Sequence, residues 1–159
     1  MKFVSQIFMM RKLILGLSIM LIGFGASAQV LNPVSWTFSS KKISDKVYEV
    51  QMVATIQSGW HLYSQVQPDD AIAIPTSFSF NQNPLVDFDG KVKEVGKMQK
   101  YSDKKLGVSA NQYSNKVVFI QRVKLKGKAK TNVTGKLEYQ TCNDEKCLPP
   151  KTVNLSIAL

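Results

Sequence analysis

The sequence predicts an all-β protein, an immunoglobulin-like antiparallel β-sandwich. Apolar and polar residues alternate with a period of two in several short segments, which is typical of strands that bury one face. Turn-forming residues separate these segments, and no segment shows the 3.6-residue periodicity of an amphipathic helix. Seven or more short strands within about 130 residues favour two packed antiparallel sheets.

The first three predicted strands each place one apolar face inward. Residues 46–57 bring five side chains to one face: Tyr48, Val50, Met52, Ala54 and Ile56. Residues 75–80 begin at Pro75 and alternate through Phe78 and Phe80. Residues 116–125 place a third set on one face: Val117, Phe119, Gln121, Val123 and Leu125.

The last two predicted strands lie on either side of the cysteine pair in the sequence. Residues 131–141 direct Val133, Leu137 and Tyr139 inward and the polar Lys136, Glu138 and Gln140 outward. Residues 153–159 form the final strand, with an apolar face of Val153, Leu155, Ile157 and Leu159. Glycine, proline, asparagine or aspartate mark the turns, at residues 58–59, 67–70, 81–84, 89–90 and 126–127.

Residues 1–28 are predicted to be a cleaved signal peptide. Positive residues near the start precede an apolar run over residues 13–25, and Ala26-Ser27-Ala28 is a small-residue cleavage signal. The apolar run is short for a bilayer span, which disfavours the alternative of an uncleaved anchor. Residues 29–159 are therefore expected to form one domain, exported to the bacterial periplasm and without stable membrane insertion.

The charge pattern argues against a nucleic-acid partner. Residues 29–159 hold 18 basic and 11 acidic residues, a net charge of +7. The dense basic run, Lys124–Lys130, has no interleaved aromatic residues, so it is interpreted as a solvated hairpin turn. The excess positive charge is expected to steer acidic partners.

The two cysteines of the chain, Cys142 and Cys147, are separated by four residues. Strand-like sequence on both sides and the turn formers Asn143 and Asp144 predict a β-hairpin whose opposing positions suit a disulfide. By strand parity Cys142 belongs to the polar face, so it is expected to lie nearer solvent than core. Cys147 shares the parity of the apolar face of the last strand.

A regular hairpin would mismatch the faces of the two flanking strands. Pairing Cys142 with Cys147 in an unbroken ladder places Leu137 opposite Thr152, which is apolar against polar. Because proline cannot donate to the ladder, the register is expected to shift near Pro149-Pro150. The disulfide tip is therefore predicted to depart from the regular sheet.

Spacing alone leaves a structural disulfide and a redox-active one equally plausible. Closing so small a ring contributes about 2 kcal/mol in the chain-entropy description, against about 3 kcal/mol for a fifteen-residue loop. A small exposed ring suits thiol-disulfide exchange better. A metal site would need two further ligands, and the one histidine, His61, is interpreted as a packed or hydrogen-bonded structural residue. No metal or cofactor is expected.

Several segments together carry a family resemblance. The most specific is Tyr139-Gln140-Thr141-Cys142 joined to Cys147-Leu148-Pro149-Pro150, and the remainder lie at residues 59–65, 74–80, 117–121 and 135–138. With these segments the chain resembles the periplasmic N-terminal domain of the thiol:disulfide interchange protein DsbD, over nearly all of residues 29–159. The resemblance implies the immunoglobulin-like fold and makes Cys142 and Cys147 the exchanging thiols.

The resemblance also implies the direction of a redox relay. Electrons would come from a transmembrane DsbD-like or CcdA-like donor and pass to periplasmic thioredoxin-like or disulfide-bonded proteins, as in cytochrome c biogenesis. The chain would act as a component of a protein-disulfide reductase. The resemblance assigns first attack on a partner to the N-terminal cysteine, and Cys147 is expected to take that role if it proves the more exposed. The alternatives are an exported binding or structural module with a static disulfide, and a paralogue with changed partners.

Two features depart from the family pattern. Better-known members have five residues between the cysteines, where this chain has four. The family also has a cap loop that carries an aromatic residue over the disulfide, and the matching stretch here is residues 101–107. Asp103 and Gly107 fit that loop, but a lysine or Leu106 stands at the aromatic position, and Tyr101 is the nearest substitute. These four residues are the candidate cap.

Overall fold

Nine β-strands make up the regular structure of residues 31–159, which is the part of the chain that the computed structural model describes. The predicted signal peptide, residues 1–28, lies outside the described residues. The strands are β1 (Val34–Lys42), β2 (Val47–Ile56), β3 (His61–Tyr63), β4 (Ser77–Phe80), β5 (Val86–Asp103), β6 (Val108–Leu125), β7 (Asn132–Tyr139), β8 (Thr141–Cys142) and β9 (Lys151–Ala158).

The strands form two antiparallel sheets. The larger sheet has the order β1-β2-β6-β3-β8, and β5 pairs with β6 along its other edge. The smaller sheet has the order β4-β7-β9. Apolar faces of both sheets contribute to one core, so the predicted antiparallel sandwich is confirmed.

Period-two alternation correctly identified the buried faces. In β2, every second residue from Val50 to Ile56 is buried, and in the second half of β6 the same holds from Val117 to Leu125. Phe119 is fully buried, and its ring centroid lies 5.0 Å from that of Phe78 on the smaller sheet. The two sheets are therefore held together by side chains that the alternation had placed inward.

Strands β5 and β6 are each 18 residues long, and both are longer than the strands predicted from the sequence. Most of β5 is exposed, and its pairing with β6 shifts register between Asp89 and Lys93 and again between Gly96 and Met98. Because an edge strand with bulges buries no continuous face, it lacks the alternating pattern that reveals a strand in sequence. The long hairpin ends in the turn at residues 104–107.

The basic run at residues 124–130 joins two sheets, so its interpretation as a hairpin turn is wrong. It leads from the end of β6 in the larger sheet to β7 in the smaller sheet, and these strands do not pair with each other. Lys126 Nζ lies 2.9 Å from Asp87 Oδ1 on β5, so one charge of the run is compensated within the sandwich. The connection crosses between sheets because β6 already has partners on both edges.

Candidate redox site

The two cysteines form a disulfide across the predicted hairpin. Their Cα atoms lie 4.0 Å apart, and the residues face each other as an isolated antiparallel bridge. The backbone hydrogen bonds nearest the pair lie one residue to either side, Asn143 N to Lys146 O and Leu148 N to Thr141 O, each at 2.9 Å. Cys142 and Cys147 therefore occupy a non-hydrogen-bonded pair, the arrangement that brings opposing side chains closest.

Asn143 shapes the turn inside the disulfide ring. Its Oδ1 accepts hydrogen bonds from the backbone N–H groups of Glu145, at 3.1 Å, and Lys146, at 2.8 Å. An asparagine side chain that satisfies the backbone two and three residues ahead stabilises a tight turn. The turn therefore follows from local sequence, as predicted.

The predicted register shift is present at the prolines. Leu137 pairs with Val153, and Tyr139 pairs with Lys151, but the next bridge joins Cys142 to Cys147. Gln140 consequently faces two residues, Pro149 and Pro150, which is the two-against-one pattern of a β-bulge. The Gln140 side chain spans the gap, because its Nε2 donates to Leu148 O at 3.2 Å.

The prediction that Cys142 would lie nearer solvent is wrong. Cys142 is 4% exposed, whereas Cys147 is exposed. Strand β7 belongs to the smaller sheet and β8 to the larger one, so the chain changes sheets at Gln140. Alternation holds only within one strand of one sheet, and the crossing turns the side chain of Cys142 inward.

An open groove of about 390 Å³ contains both cysteines. Its floor includes Cys142, which packs with Tyr63 and Ala110 in a small buried cluster apart from the main core. The lining comes from β3, the segment before β4, the tip of the β5–β6 hairpin and the ring itself: His61, Tyr63, Ile72, Ala73, Tyr101, Leu106, Val108, Ser109, Ala110, Gln112, Gln140, Cys142, Asn143, Asp144 and Cys147. The disulfide is thus buried on one side and accessible from the other.

The candidate cap residues divide into two pairs. Tyr101 and Leu106 line the groove beside the disulfide, and they are 47% and 72% exposed. Asp103 and Gly107 shape the turn that carries Leu106: Asp103 Oδ1 accepts the N–H groups of residues 105 and 106, and Gly107 has a φ of 67°. The stretch therefore stands at the wall of the groove and leaves Cys147 exposed.

His61 lies next to the disulfide, a position that the sequence did not indicate. As expected, it is hydrogen-bonded: its Nδ1 lies 3.0 Å from Ser114 Oγ. It also pairs directly with Cys142 across β3 and β8, and its Nε2 lies 3.8 Å from Asp144 Oδ1. No local sequence signal links residue 61 to residue 142, because the link is a long-range strand pairing.

A carboxylate network holds β3 in place behind the groove. Glu94 on β5 accepts hydrogen bonds from Ser64 Oγ at 2.7 Å, Gln65 N at 2.7 Å and Tyr113 OH at 2.6 Å. Burial, and then the hydrogen bond and charge of Glu94, raise the pKa of Tyr113 well above its ordinary value. The phenol therefore stays protonated and donates to Glu94 throughout the neutral range, which fixes the end of the strand that begins with His61.

Residues 31–159 have neither a cluster of metal-binding side chains nor a membrane-spanning helix. No group of three or more histidine, cysteine, aspartate or glutamate side chains is arranged to hold a metal ion within this range. The same described residues contain no helix with the length and apolarity needed to cross a membrane.

This chain is similar to known thiol:disulfide interchange proteins in sequence and in fold. Residues 27–158 match the family described as thiol:disulfide interchange protein DsbD, N-terminal. The DsbD N-terminal domain of Neisseria meningitidis, solved in the reduced form, is 15% identical with a TM-score of 0.52, and the match covers 84% of this chain and 94% of that one. This likeness confirms the immunoglobulin-like sandwich.

The N-terminal periplasmic domain of ScsB from Proteus mirabilis is 16% identical with a TM-score of 0.49, over 77% of this chain and 44% of that one. Among curated proteins, none matches this chain.

Proposed function

Because this chain belongs to the family of the N-terminal domain of the thiol:disulfide interchange protein DsbD, we propose that it exchanges its Cys142–Cys147 disulfide with thiols and disulfides of partner proteins. The observation that carries the proposal is the unequal exposure of the two cysteines. Cys147 is exposed at an open groove, and Cys142 is 4% exposed beneath it. A disulfide with one accessible sulfur can be attacked in line at that sulfur while the other acts as leaving group.

The exchange proceeds in two steps in either direction. When a donor reduces the oxidised domain, a donor thiolate attacks Cys147 Sγ. The Cys142–Cys147 bond breaks, and its electron pair moves to Cys142 Sγ. A second donor thiol then displaces Cys147, so the donor becomes a disulfide and the domain a dithiol. When the domain reduces a partner, the Cys147 thiolate attacks first, and Cys142 resolves the mixed disulfide.

The family match supports a role with thiol-disulfide partners on both sides of a relay. A transmembrane DsbD-like or CcdA-like protein supplies the electrons, and oxidised periplasmic proteins, thioredoxin-like or disulfide-bonded, receive them. Residues 1–28 act as the signal peptide that delivers residues 29–159 to the periplasm, where disulfides persist. The groove supports this role, because exposed apolar side chains beside the disulfide, Ile72 at 80% and Leu106 at 72%, offer a surface for a protein partner.

The reduction potential tests the proposed function directly. Structural disulfides of secreted proteins have potentials below about −300 mV, whereas exchanging ones lie higher. Equilibration of the protein with glutathione or dithiothreitol redox buffers, read by the fraction of free thiol, is expected to give a value above about −300 mV. A lower potential, together with no mixed disulfide trapped by a single-cysteine variant, would contradict the proposal and favour a static disulfide.

Reducing the disulfide is expected to lower the free energy of unfolding by about 2 kcal/mol, because the six-residue ring removes little chain entropy. The measurement is denaturant unfolding of the oxidised and reduced protein. A Cys142→Ala/Cys147→Ser variant is the control, since alanine avoids leaving a hydroxyl without a partner at the buried position. A loss large enough to unfold the domain would identify the disulfide as a structural staple.

A further inference from the structure

His61 stands directly opposite the buried sulfur. It is the first residue of β3 and pairs in register with Cys142 on β8. Side chains at directly opposed positions share one face of the sheet, with Cβ atoms about 4.5–5.5 Å apart. Both residues line the groove, and the imidazole is 23% exposed. The ring therefore lies beside Cys142 and has limited access to solvent.

A hydrogen-bond chain determines which ring nitrogen of His61 keeps its proton. The Ser114 hydroxyl has one proton, which it donates to Gln99 Oε1 at 2.9 Å. Its oxygen, 3.0 Å from His61 Nδ1, must then accept from an Nδ1–H group. A histidine whose Nδ1–H is engaged in this way exchanges protons at Nε2. The free nitrogen faces the disulfide ring, 3.8 Å from Asp144 Oδ1.

The groove holds no other side chain that can become a cation, among the described residues that line it. Lys146 adjoins Cys147 but does not line the groove. The other titratable groups that face His61 are Asp144 on the ring, Tyr63 on the same strand and Tyr101 across the groove. Burial, and then the charge of Tyr101, raise the pKa of Tyr63, so that phenol is neutral at neutral pH.

We propose that His61 is the proton donor to Cys142 Sγ when the disulfide opens, and the acceptor of that proton when the disulfide closes. This inference rests on the proposed exchange function. When a thiolate forms a bond to Cys147 Sγ, the electron pair of the broken bond goes to Cys142 Sγ, which becomes free to turn about its χ1 angle toward the imidazole. The Nε2 proton passes to that sulfur and leaves a neutral ring. In the reverse reaction, neutral Nε2 removes the proton from the Cys142 thiol, and the thiolate attacks the mixed disulfide.

The inference predicts a specific pH profile for reduction by dithiothreitol, a probe that needs no identified partner. The rate is measured across pH and divided by the thiolate concentration of the reagent. For the wild type, the corrected rate is expected to be about tenfold higher where His61 is protonated, and to fall as pH rises through the imidazole titration. For His61→Asn, whose amide nitrogen can replace Nδ1 as the donor to Ser114, the corrected rate is expected to be flat.

Lys146→Gln is the matched control. It removes a positive charge that is next to Cys147 but outside the groove, so it is expected to shift the rate uniformly and to preserve the shape of the profile. A profile that keeps its shape in His61→Asn would overturn the inference. The reduction potential is an equilibrium readout that is separate from these rates, so a failed exchange function and a failed role for His61 give different results.

A spectroscopic measurement covers the case in which His61→Asn does not fold. The chain has a single histidine, so its imidazole proton resonances need no assignment. The titration curve of this imidazole in the wild type is expected to differ between the oxidised and the reduced protein, because a thiol or thiolate replaces the disulfide beside it. Identical curves in the two states would show that His61 does not sense Cys142.

Discussion

Cys147 is expected to react with a small aromatic disulfide reagent about 100-fold faster than Cys142, once each is the only cysteine in the chain. Cys147 is exposed at the groove, whereas Cys142 is 4% exposed and packs against Tyr63 and Ala110. Attack requires in-line access to sulfur, so the buried thiol reacts only when the local structure opens. Release of thionitrobenzoate from Cys142→Ala and Cys147→Ser measures the two rates.

Denaturant supplies the control for this comparison. In urea, where burial is removed, the two single-cysteine variants are expected to react at similar rates at the same pH. A series of pH values separates the thiolate fraction of each cysteine from its accessibility. Equal rates in the folded variants would contradict the proposed order of attack. A faster reaction at Cys142 would reverse that order and restore the N-terminal cysteine as the first nucleophile.

Gly135→Ala is expected to lower the free energy of unfolding by about 3 kcal/mol. Gly135 lies in the middle of β7, and a Cβ atom there would overlap the carbonyl oxygen of Ser79 and lie 2.9 Å from the Cα of Phe80 on β4. Backbone cannot rotate away as a flexible side chain can, so β4 would have to move. Phe78 would move with it and lose its packing on Phe119, 5.0 Å away between ring centroids. Urea denaturation followed by circular dichroism measures the loss.

Gly127→Ala provides the matched comparison. A Cβ at Gly127 would meet no heavy atom within 4 Å, so its effect is expected to stay within about 0.5 kcal/mol. If Gly135→Ala is as mild as Gly127→Ala, then β4 does not lie against β7 as closely as the structure has it.

Most of the fold could be predicted wherever a strand buries one face. The alternation in β2 and β7 identified the buried side chains correctly, because contact with the core on a single face imposes a period of two. The same signal is present in β1, through Val34, Trp36 and Phe38, but that strand was not assigned. Strand β5 could not have been found in this way, because it lies at the edge of the sheet and is mostly exposed.

The sequence predicted the local structure of the candidate site, but not the residues that surround it. The hairpin, the turn at Asn143 and the bulge opposite Gln140 all follow from residues close together in the chain. Strand parity predicted that Cys142 lies nearer solvent, but Cys142 is buried and Cys147 is exposed. The approach of His61 was not foreseen, since it depends on the pairing of β3 with β8, some eighty residues apart along the chain.

The sequence by itself determined that this protein is an antiparallel sandwich with a small disulfide hairpin, and that the hairpin leaves the regular ladder at Pro149-Pro150. These features depend on the two-residue period of strands and on the missing N–H of proline, which are local properties. Only the tertiary structure decided which sulfur faces solvent and which side chains surround it. The chain passes from one sheet to the other between β7 and β8, and that crossing sets the orientation of Cys142 independently of the parity that precedes it.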